Sequence, residues 1–389
     1  MIGGPSLLAA ALLAAAAVSL RAHAQQAPEP SPAPSAAPAL SVEEVAARRA
    51  ARIAVDLARA EAQIAAVDRF GQVDRYATAL QALLGTVKER FADVGDGVFT
   101  DIALKNWLDW NGSRPGSPVL PELDRAATNH PYSTIVDLAR QLRAHDVDFL
   151  LVTFPTRPAL YPELVMEFPT LDGFAGFCPA TPRFNKALAE AGVEVLDLTP
   201  EFVAARYGEG GDKQDQLFLR YNQHWTPRGA ELAAQRIAER LAQYPWFERG
   251  PAKEGVDWVA TRNEVDVKIQ WGGTPEGAKP ERLRCTQVTK PKSPRLDSVR
   301  PSSPITLLSG SFADFHNSSQ CDFTAQLYRF TGWSIDKINP KGGVEDACRE
   351  ALAKKTPAEW KKKRIVVWML PEQAFRVGPM WRPIALFDE

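Results

Sequence analysis

FLLVTF, residues 149 to 154, is a short and almost wholly apolar run of the kind that forms a buried strand. Three more runs of this kind follow it, and helical patterns lie in the intervals. The strand-like runs are residues 193–198, 305–308 and 365–368, and the helical patterns are residues 133–144, 183–191, 227–242 and 344–354. This alternation predicts an α/β fold, in which a parallel sheet has helices on both faces.

The alternation also predicts where the chemistry lies, because sites in open parallel sheets form beyond the carboxyl ends of the strands. The loops to search are those that follow Phe154, Leu219, Leu308 and Leu370.

One of these loops contains a histidine, in RYNQHWTPRG, residues 220 to 229. Thr226 followed by Pro227 is typical of a helix start, so His224 should lie just outside a helix N-terminus. It should also lie at the carboxyl end of a strand, which the apolar run of residues 216–219 predicts. His224 is therefore the candidate general base, and an ordinary hydrogen-bonded loop histidine is the alternative. The other histidines of the mature chain have less helpful surroundings: His130, His145 and His316.

A serine candidate lies in LLSGSFADF, residues 307 to 315, where an apolar run ends in Ser309-Gly310-Ser311. A serine at a strand end beside a glycine can expose its hydroxyl and leave backbone N–H groups to face a developing oxyanion. Ser-Gly-Ser is also a common turn sequence, so this motif alone leaves a simple turn as the alternative.

Taken together, these motifs resemble the alginate O-acetyltransferases of the AlgX and AlgJ type, which carry a circularly permuted SGNH-hydrolase-like domain. LLVTFPTRPALYPE is similar to that family's strand followed by a proline, a basic residue and YPE, and NQHWTPRGA to its D-x-H-W-[TS]-P-x-GA. LLSGSFADF is similar to its strand with G-T-S-Y, and IDKINPKGG and IVVWMLPEQAF to its last two strand segments. The resemblance covers most of the chain from about residue 94 and implies an SGNH-like α/β/α sandwich.

The resemblance also implies roles for individual residues. Ser311 is the expected nucleophile, His224 the expected base, and Asn222 stands where the family has its acid. An asparagine can orient the histidine but lacks the charge that stabilises an imidazolium, so Asp215 or Asp314 is an alternative acid. Seven residues in or beside the motifs are expected at the substrate: Arg157, Tyr161, Trp225, Gly310, Phe312, His316 and Asn339.

The chain before the α/β pattern carries export and helix signals. Residues 7–20 are apolar and precede Ala22-His23-Ala24, which predicts a signal peptide over residues 1–24 and a periplasmic or secreted protein. An uncleaved anchor is the alternative. Residues 25–40 form a Pro/Ala-rich linker. Residues 41–93 predict a helical segment, with a hairpin packed on the main domain preferred over a partner-binding coiled coil.

Residues 94–389 form the predicted SGNH-like domain. Residues 246–290 interrupt its alternation with polar strand-like pieces at 257–261 and 266–271, and we interpret them as an insertion that covers or borders the site.

Four cysteines in an exported chain predict two disulfides, and no Cys/His spacing suggests zinc. Four cysteines allow three pairings. Proximity in sequence favours Cys321 with Cys348 and Cys178 with Cys285.

The charge balance and the family resemblance together limit the possible functions. The 46 basic and 47 acidic residues nearly cancel, which argues against bulk capture of nucleic acid or of an anionic membrane. The resemblance implies an O-acetyltransferase that acetylates an extracellular or periplasmic polysaccharide through a serine acyl-enzyme, with no cofactor or metal. It also implies a membrane-bound O-acyltransferase as the donor source. The alternatives are a carbohydrate acetyl esterase with the same site and a catalytically silent polysaccharide-binding or scaffold protein of a secretion complex.

Overall fold

The computed structural model of this chain describes residues 40–88, 91–94, 97–111, 129–208, 216–267, 280–293, 296–340, 344–375 and 379–387. The predicted signal peptide and almost all of the linker lie outside the described residues. The helices are α1 (Val42–Phe70), α2 (Val73–Leu84), α3 (Asp101–Asn111), α4 (Pro131–Ala144), α5 (Arg157–Leu160), α6 (Ala180–Glu190), α7 (Thr199–Tyr207), α8 (Pro227–Leu241), α9 (Phe323–Thr331), α10 (Asp346–Ala353) and α11 (Pro357–Trp360). The strands are β1 (Phe91–Asp93), β2 (Val98–Thr100), β3 (Asp148–Phe154), β4 (Glu194–Asp197), β5 (Val259–Val267), β6 (Glu281–Thr289), β7 (Ile305–Leu308), β8 (Asp336–Ile338) and β9 (Ile365–Pro371).

The central sheet has five parallel strands in the order β4-β3-β9-β7-β8. β3 lies inside it, with Leu150 paired to Glu194 of β4 on one side and to Val367 of β9 on the other. β3, β4, β7 and β9 are the four runs that the sequence predicts as strands, so the predicted α/β fold is confirmed.

Both faces of the sheet are covered by helices. Leu150 and Val152 of β3 belong to a core with residues of α3 and α8, whereas Phe149 and Leu151 belong to a second core with residues of α4 and α6. Alternate side chains of β3 point to opposite faces of the sheet, and helices bury both faces. The β3 sequence is therefore apolar at most positions rather than alternating between apolar and polar.

The N-terminal helices pack on this domain and belong to its compact unit, Val42–Glu389. α1 lies against α6 and β4, while α2 lies against α3. Buried ion pairs hold α1 in place: Arg52 Nε lies 2.7 Å from Glu194 Oε2 of β4, and Arg240 of α8 lies 2.7 Å from Asp56 Oδ2. The two helices therefore cover separate parts of the domain rather than extending away from it as a coiled coil.

Two local predictions are wrong. Residues 216–219 add no strand to the sheet; Phe218 instead makes an isolated antiparallel bridge with Trp225 inside one tight loop. The insertion is an antiparallel hairpin in which β5 pairs with β6. Its second strand starts at Glu281, whereas the sequence predicts a second strand-like piece at residues 266–271. Residues 268–279 lie outside the described part.

The predicted cysteine pairings are also wrong, because all four cysteines are free in the structure. The Cys178 thiol contacts the Thr199 hydroxyl, and the Cys348 thiol lies 3.6 Å from the Ser309 carbonyl oxygen. The two cysteines that lie next to each other are instead Cys285 and Cys321, whose thiols share a hydrogen bond. Sequence proximity misses this pair because it arises where β6 runs beside residues 319–321.

Candidate active site

The nucleophile candidate, Ser311, opens a 3-10 turn (Ser311–Ala313) just beyond the carboxyl end of β7. A β-carbon on Gly310 would lie 2.4 Å from Val344 Cγ1, so the close approach at this turn favours glycine. Ser311 is exposed, whereas Ser309 is fully buried. The turn therefore presents one of its two serines to solvent.

The base candidate, His224, lies in a tight loop just before α8. The Leu219 N–H donates to the His224 carbonyl at 3.0 Å, and the Thr226 N–H donates to the Leu217 carbonyl at 2.9 Å. Thr226 also caps α8 by accepting a hydrogen bond from the Gly229 N–H, as the sequence predicts. These bonds fix the histidine at the amino end of the helix.

Ser311, His224 and Asn222 form one chain of hydrogen bonds. His224 Nε2 lies 2.6 Å from Ser311 Oγ, and His224 Nδ1 lies 2.6 Å from Asn222 Oδ1. The same amide oxygen accepts the His224 backbone N–H at 3.1 Å, which fixes the orientation of the asparagine amide. Nδ1 must then carry the ring proton, so Nε2 is left to accept the serine proton.

The surroundings of His224 keep its ring neutral. Burial lowers its pKa from 6.5 to about 3, and the nearby His316 adds a smaller lowering effect. The Phe315 ring is stacked on the imidazole, with 4.3 Å between ring centroids and 10° between planes. Asn222 supplies no charge to offset burial. His224 is therefore in the proton-accepting form at neutral pH, but the imidazolium that it must form is costly.

Two further hydrogen bonds join the histidine loop to the serine segment. Trp225 Nε1–H donates to the Phe312 carbonyl at 2.9 Å, and His316 Nε2 lies 2.9 Å from the Trp225 carbonyl oxygen. Trp225, Phe312 and His316 are all buried, and Trp225 packs edge-on against Phe312. In this structure these three residues hold the two halves of the site together.

Arg157 and Tyr161 support the histidine loop from its other side. Arg157 donates to the Val98 carbonyl at 2.5 Å and to the Arg220 carbonyl at 2.7 Å. The Tyr161 hydroxyl oxygen accepts the Leu217 N–H at 2.9 Å. Both side chains are almost fully buried, so they support the histidine loop rather than line a surface that a substrate can reach.

Of the two alternative acids, Asp314 hydrogen-bonds Lys337 and the Asn339 amide rather than His224. Asp215 lies outside the described residues. Asn339 also donates to the Gly310 carbonyl at 3.1 Å, which places it next to the serine turn.

Sequence reasoning missed three residues around the site. Phe315 stacks on the base, Lys337 pairs with Asp314, and Glu281 of the insertion accepts the Arg220 N–H at 3.0 Å. The position of Phe315 inside the serine motif could have signalled its role. The other two come from distant segments. Within the described residues, no group of His, Cys, Asp and Glu could hold a metal ion.

A serine after the third sheet strand, a histidine just before a helix, and the order histidine before serine are the features of a permuted SGNH-type site. Consistent with this, residues 117–372 match the model of the SGNH hydrolase-like domain of acetyltransferase AlgX. The chain belongs to this family. The match spans the sheet strands β3, β4, β7, β8 and β9 and every residue of the Ser311–His224–Asn222 chain.

Curated relatives match shorter stretches. The chain is 33% identical over 102 residues to a probable alginate O-acetylase AlgJ of Pseudomonas syringae, covering 26% of this chain and 24% of the relative. It is 40% identical over 72 residues to the alginate biosynthesis protein AlgX of Pseudomonas putida, covering 18% of this chain and 14% of the relative. The chain thus spans about a quarter or less of the length of these relatives.

The fold has a counterpart among solved structures. The O-acetyltransferase domain of Pseudomonas putida AlgJ superposes with a TM-score of 0.51 at 18% identity, covering 76% of this chain and 94% of that domain. At this identity the likeness shows the fold alone.

Proposed function

We propose that this protein is an O-acetyltransferase that moves an acetyl group to a hydroxyl of an extracytoplasmic polysaccharide through an acetyl-Ser311 intermediate. The observation that carries the proposal is the hydrogen-bonded chain from Ser311 Oγ through His224 to Asn222. Membership of the AlgX acetyltransferase family and the names of the relatives support acetyl as the group transferred.

The reaction has two halves. Ser311 Oγ attacks the acetyl carbonyl while His224 Nε2 takes its proton, and the tetrahedral intermediate then expels the donor oxygen, which receives that proton. In the second half a sugar hydroxyl gives its proton to His224 and attacks the acetyl carbon, the bond to Ser311 Oγ breaks, and Oγ takes the proton back from His224. We assign the Ser311 backbone N–H, which starts a 3-10 turn, as the donor to the oxyanion of each intermediate.

The insertion supports a saccharide acceptor. A cavity of about 610 Å³ lies between the β5–β6 hairpin and α8, and Arg228, Arg262 and Arg284 are among the residues that line it. Its two glutamates are already engaged, since Glu231 pairs with Arg329 at 2.8 Å and Glu264 with Arg282 at 2.7 Å. The lining therefore suits an acceptor that carries carboxylates, as alginate does.

The compartment and the donor partner are part of the same proposal. The apolar run and the cleavage pattern near Ala24 support a mature protein in the periplasm or outside the cell. No helix in the described residues is both long and apolar enough to cross a bilayer. The donor would come from a membrane-bound O-acyltransferase, as the family resemblance implies.

A competing esterase reaction follows from one observation. Ser311 is exposed, so water can reach an acetyl-enzyme as well as a sugar hydroxyl can. Hydrolysis is therefore expected when no acceptor is present, and acceptor oligosaccharides should divert the acetyl group to sugar.

The test uses a chromogenic acetyl ester with and without oligosaccharides, together with a fluorophosphonate probe for reactive serines. We expect probe labelling, slow ester turnover, and acetylated oligosaccharide as the product when acceptor is present. Ser311→Ala should abolish all three, while Ser309→Ala, which changes a buried hydroxyl on the same loop, should reduce them far less. A wild-type protein with neither labelling nor turnover would identify the silent scaffold instead, and turnover without sugar acetylation would identify the esterase.

A further inference from the structure

The carbonyl of Gly310, one residue before the nucleophile, is held from two directions. It accepts the Ala313 N–H at 3.1 Å, which closes the 3-10 turn, and it accepts Nδ2–H of Asn339 at 3.1 Å. Asn339 follows β8, the edge strand beside β7, so it reaches the turn from the neighbouring strand end. Both acceptor sites of this carbonyl are occupied, and the peptide plane has a fixed orientation.

The Asn339 amide is itself held in place. Its Nδ2 also hydrogen-bonds Asp314 Oδ2, and the other oxygen of that carboxylate pairs with Lys337 Nζ. An amide nitrogen has two hydrogens, and here one points to Gly310 and the other to Asp314. Asn339 therefore has no remaining donor for a substrate, although the sequence motif suggested a direct substrate contact.

The geometry of the peptide bond links this network to catalysis. In a trans peptide the C=O and the N–H of the same unit point in opposite directions within one plane. Directing the Gly310 carbonyl toward Asn339 therefore directs the Ser311 N–H away from it, to the opposite side of the turn. This N–H belongs to the same residue as the attacking Oγ, and a backbone donor beside the nucleophile can face the oxyanion that forms there.

We infer that Asn339, oriented by Asp314 and Lys337, is a positioning residue that fixes the Ser311 N–H as the oxyanion donor. The inference rests on the proposed function of Ser311 as an acyl nucleophile. Asn339 acts through the peptide plane and does not touch the substrate. Asp314 has a specific part in this arrangement, because its carboxylate selects which end of the Asn339 amide faces Gly310.

Three substitutions separate the contributions. Asn339→Leu removes the donor, and Asn339→Asp places a carboxylate against both the Gly310 carbonyl and Asp314. Losing an oxyanion donor outright costs about 10²–10³ in rate, so a misaligned donor should cost roughly 10- to 100-fold. Asp314→Asn still offers an oxygen to Asn339 but no longer selects which end of its amide faces Gly310, so its rate should lie between those of the wild type and Asn339→Leu.

The experiment measures two rates on each purified full-length variant: kcat and KM for a chromogenic acetyl ester, and the second-order rate of Ser311 labelling by a fluorophosphonate. In both reactions negative charge develops on an oxygen that is bonded to the atom that Ser311 Oγ attacks. Asn339→Leu and Asn339→Asp should lower kcat and the labelling rate by similar factors while KM stays within about twofold. Asn317→Asp, the same chemical change at an exposed position of the serine segment, is the matched control.

The outcomes distinguish this inference from the function on which it rests. Wild-type labelling without ester turnover would reject the proposed reaction but still allow the labelling rates to be compared. Asn339→Leu and Asn339→Asp proteins that fold and are labelled at the wild-type rate would overturn the inference. A loss that appears as a raised KM with unchanged labelling would overturn it too, because that pattern belongs to a direct substrate contact.

Discussion

Replacing Asn222 by aspartate should raise kcat for acetyl-ester hydrolysis at least tenfold. Asn222 Oδ1 lies 2.6 Å from His224 Nδ1, so an isosteric carboxylate would meet the imidazolium at hydrogen-bond distance in a buried site. The asparagine already orients the ring, and what it lacks is negative charge. The substitution therefore adds the one property of the family's acid that is missing from this geometry.

The size of the gain has an upper bound. Exchanging acid for amide in a serine triad costs about 10⁴ in rate, roughly 5.5 kcal/mol, and part of that cost comes from the wrong histidine tautomer. Here the amide oxygen also accepts the His224 backbone N–H, which already favours the correct tautomer. The substitution can therefore recover only the contribution of the negative charge, and the gain in kcat should lie between tenfold and about 10⁴-fold.

The assay is a pH profile of kcat/KM with a chromogenic acetyl ester. In the wild type the pKa of His224 is lowered to about 3, so the limb that reports the neutral base should lie at acid pH. A carboxylate at position 222 raises this pKa, and the limb should move to higher pH together with the gain in rate. His224→Ala should remove activity from both backgrounds. A folded Asn222→Asp protein whose limb moves but whose rate does not rise would refute the reasoning.

Three more predictions follow from the described contacts. Burial lowers the pKa of His224 to about 3 and that of His316 to about 4, whereas burial raises the pKa of Asp197 to about 6 and that of Glu372 to about 7. As pH drops from 6.5 to 4, the two histidines lower the free energy of unfolding because their unfolded forms bind more protons, and the two carboxyl groups oppose this fall. His224→Gln should therefore lose less free energy of unfolding over this range than the wild type, and equal slopes would contradict this. Mild oxidation by glutathione disulfide should join Cys285 to Cys321 and leave Cys178 and Cys348 as thiols. Peptide mapping that finds Cys321 joined to Cys348 would contradict the contact between β6 and residues 319–321. The double substitution Arg262→Gln and Arg284→Gln should weaken binding of an oligouronide about tenfold without changing ester hydrolysis. The control pair, Arg140→Gln and Arg364→Gln, changes two exposed arginines elsewhere and should alter neither property. If both double variants bind the oligouronide equally well, the cavity is not part of the acceptor site.

The sequence predicts those parts of the fold that depend on local pattern. β3, β7 and β9 are mainly apolar because both of their faces are buried, and the start of α8 is marked by Thr226 and Pro227. A strand end indicates Ser311 and a helix start indicates His224, whereas the third residue of the hydrogen-bonded chain, Asn222, is implied by the family resemblance.

The rest depends on contacts between distant segments. Residues 216–219 have the composition of a strand but bond within their own loop, because the Leu217 and Leu219 backbone groups pair with Thr226 and His224. Asp314 is an alternative acid on the sequence alone, yet in the structure its carboxylate hydrogen-bonds Lys337 and Asn339 instead. The Cys285–Cys321 contact likewise depends on how the hairpin lies, which no local pattern encodes.

The central claim is that Ser311 carries the acetyl group, and trapping the acyl-enzyme tests it most directly. The full-length protein is mixed with an acetyl ester, quenched with acid, digested and mapped by mass spectrometry. The account predicts an acetyl group on Ser311 that is absent in His224→Ala and accumulates less when an oligosaccharide acceptor is added. Acetylation of another residue, or of Ser311 at the same rate without His224, would contradict it.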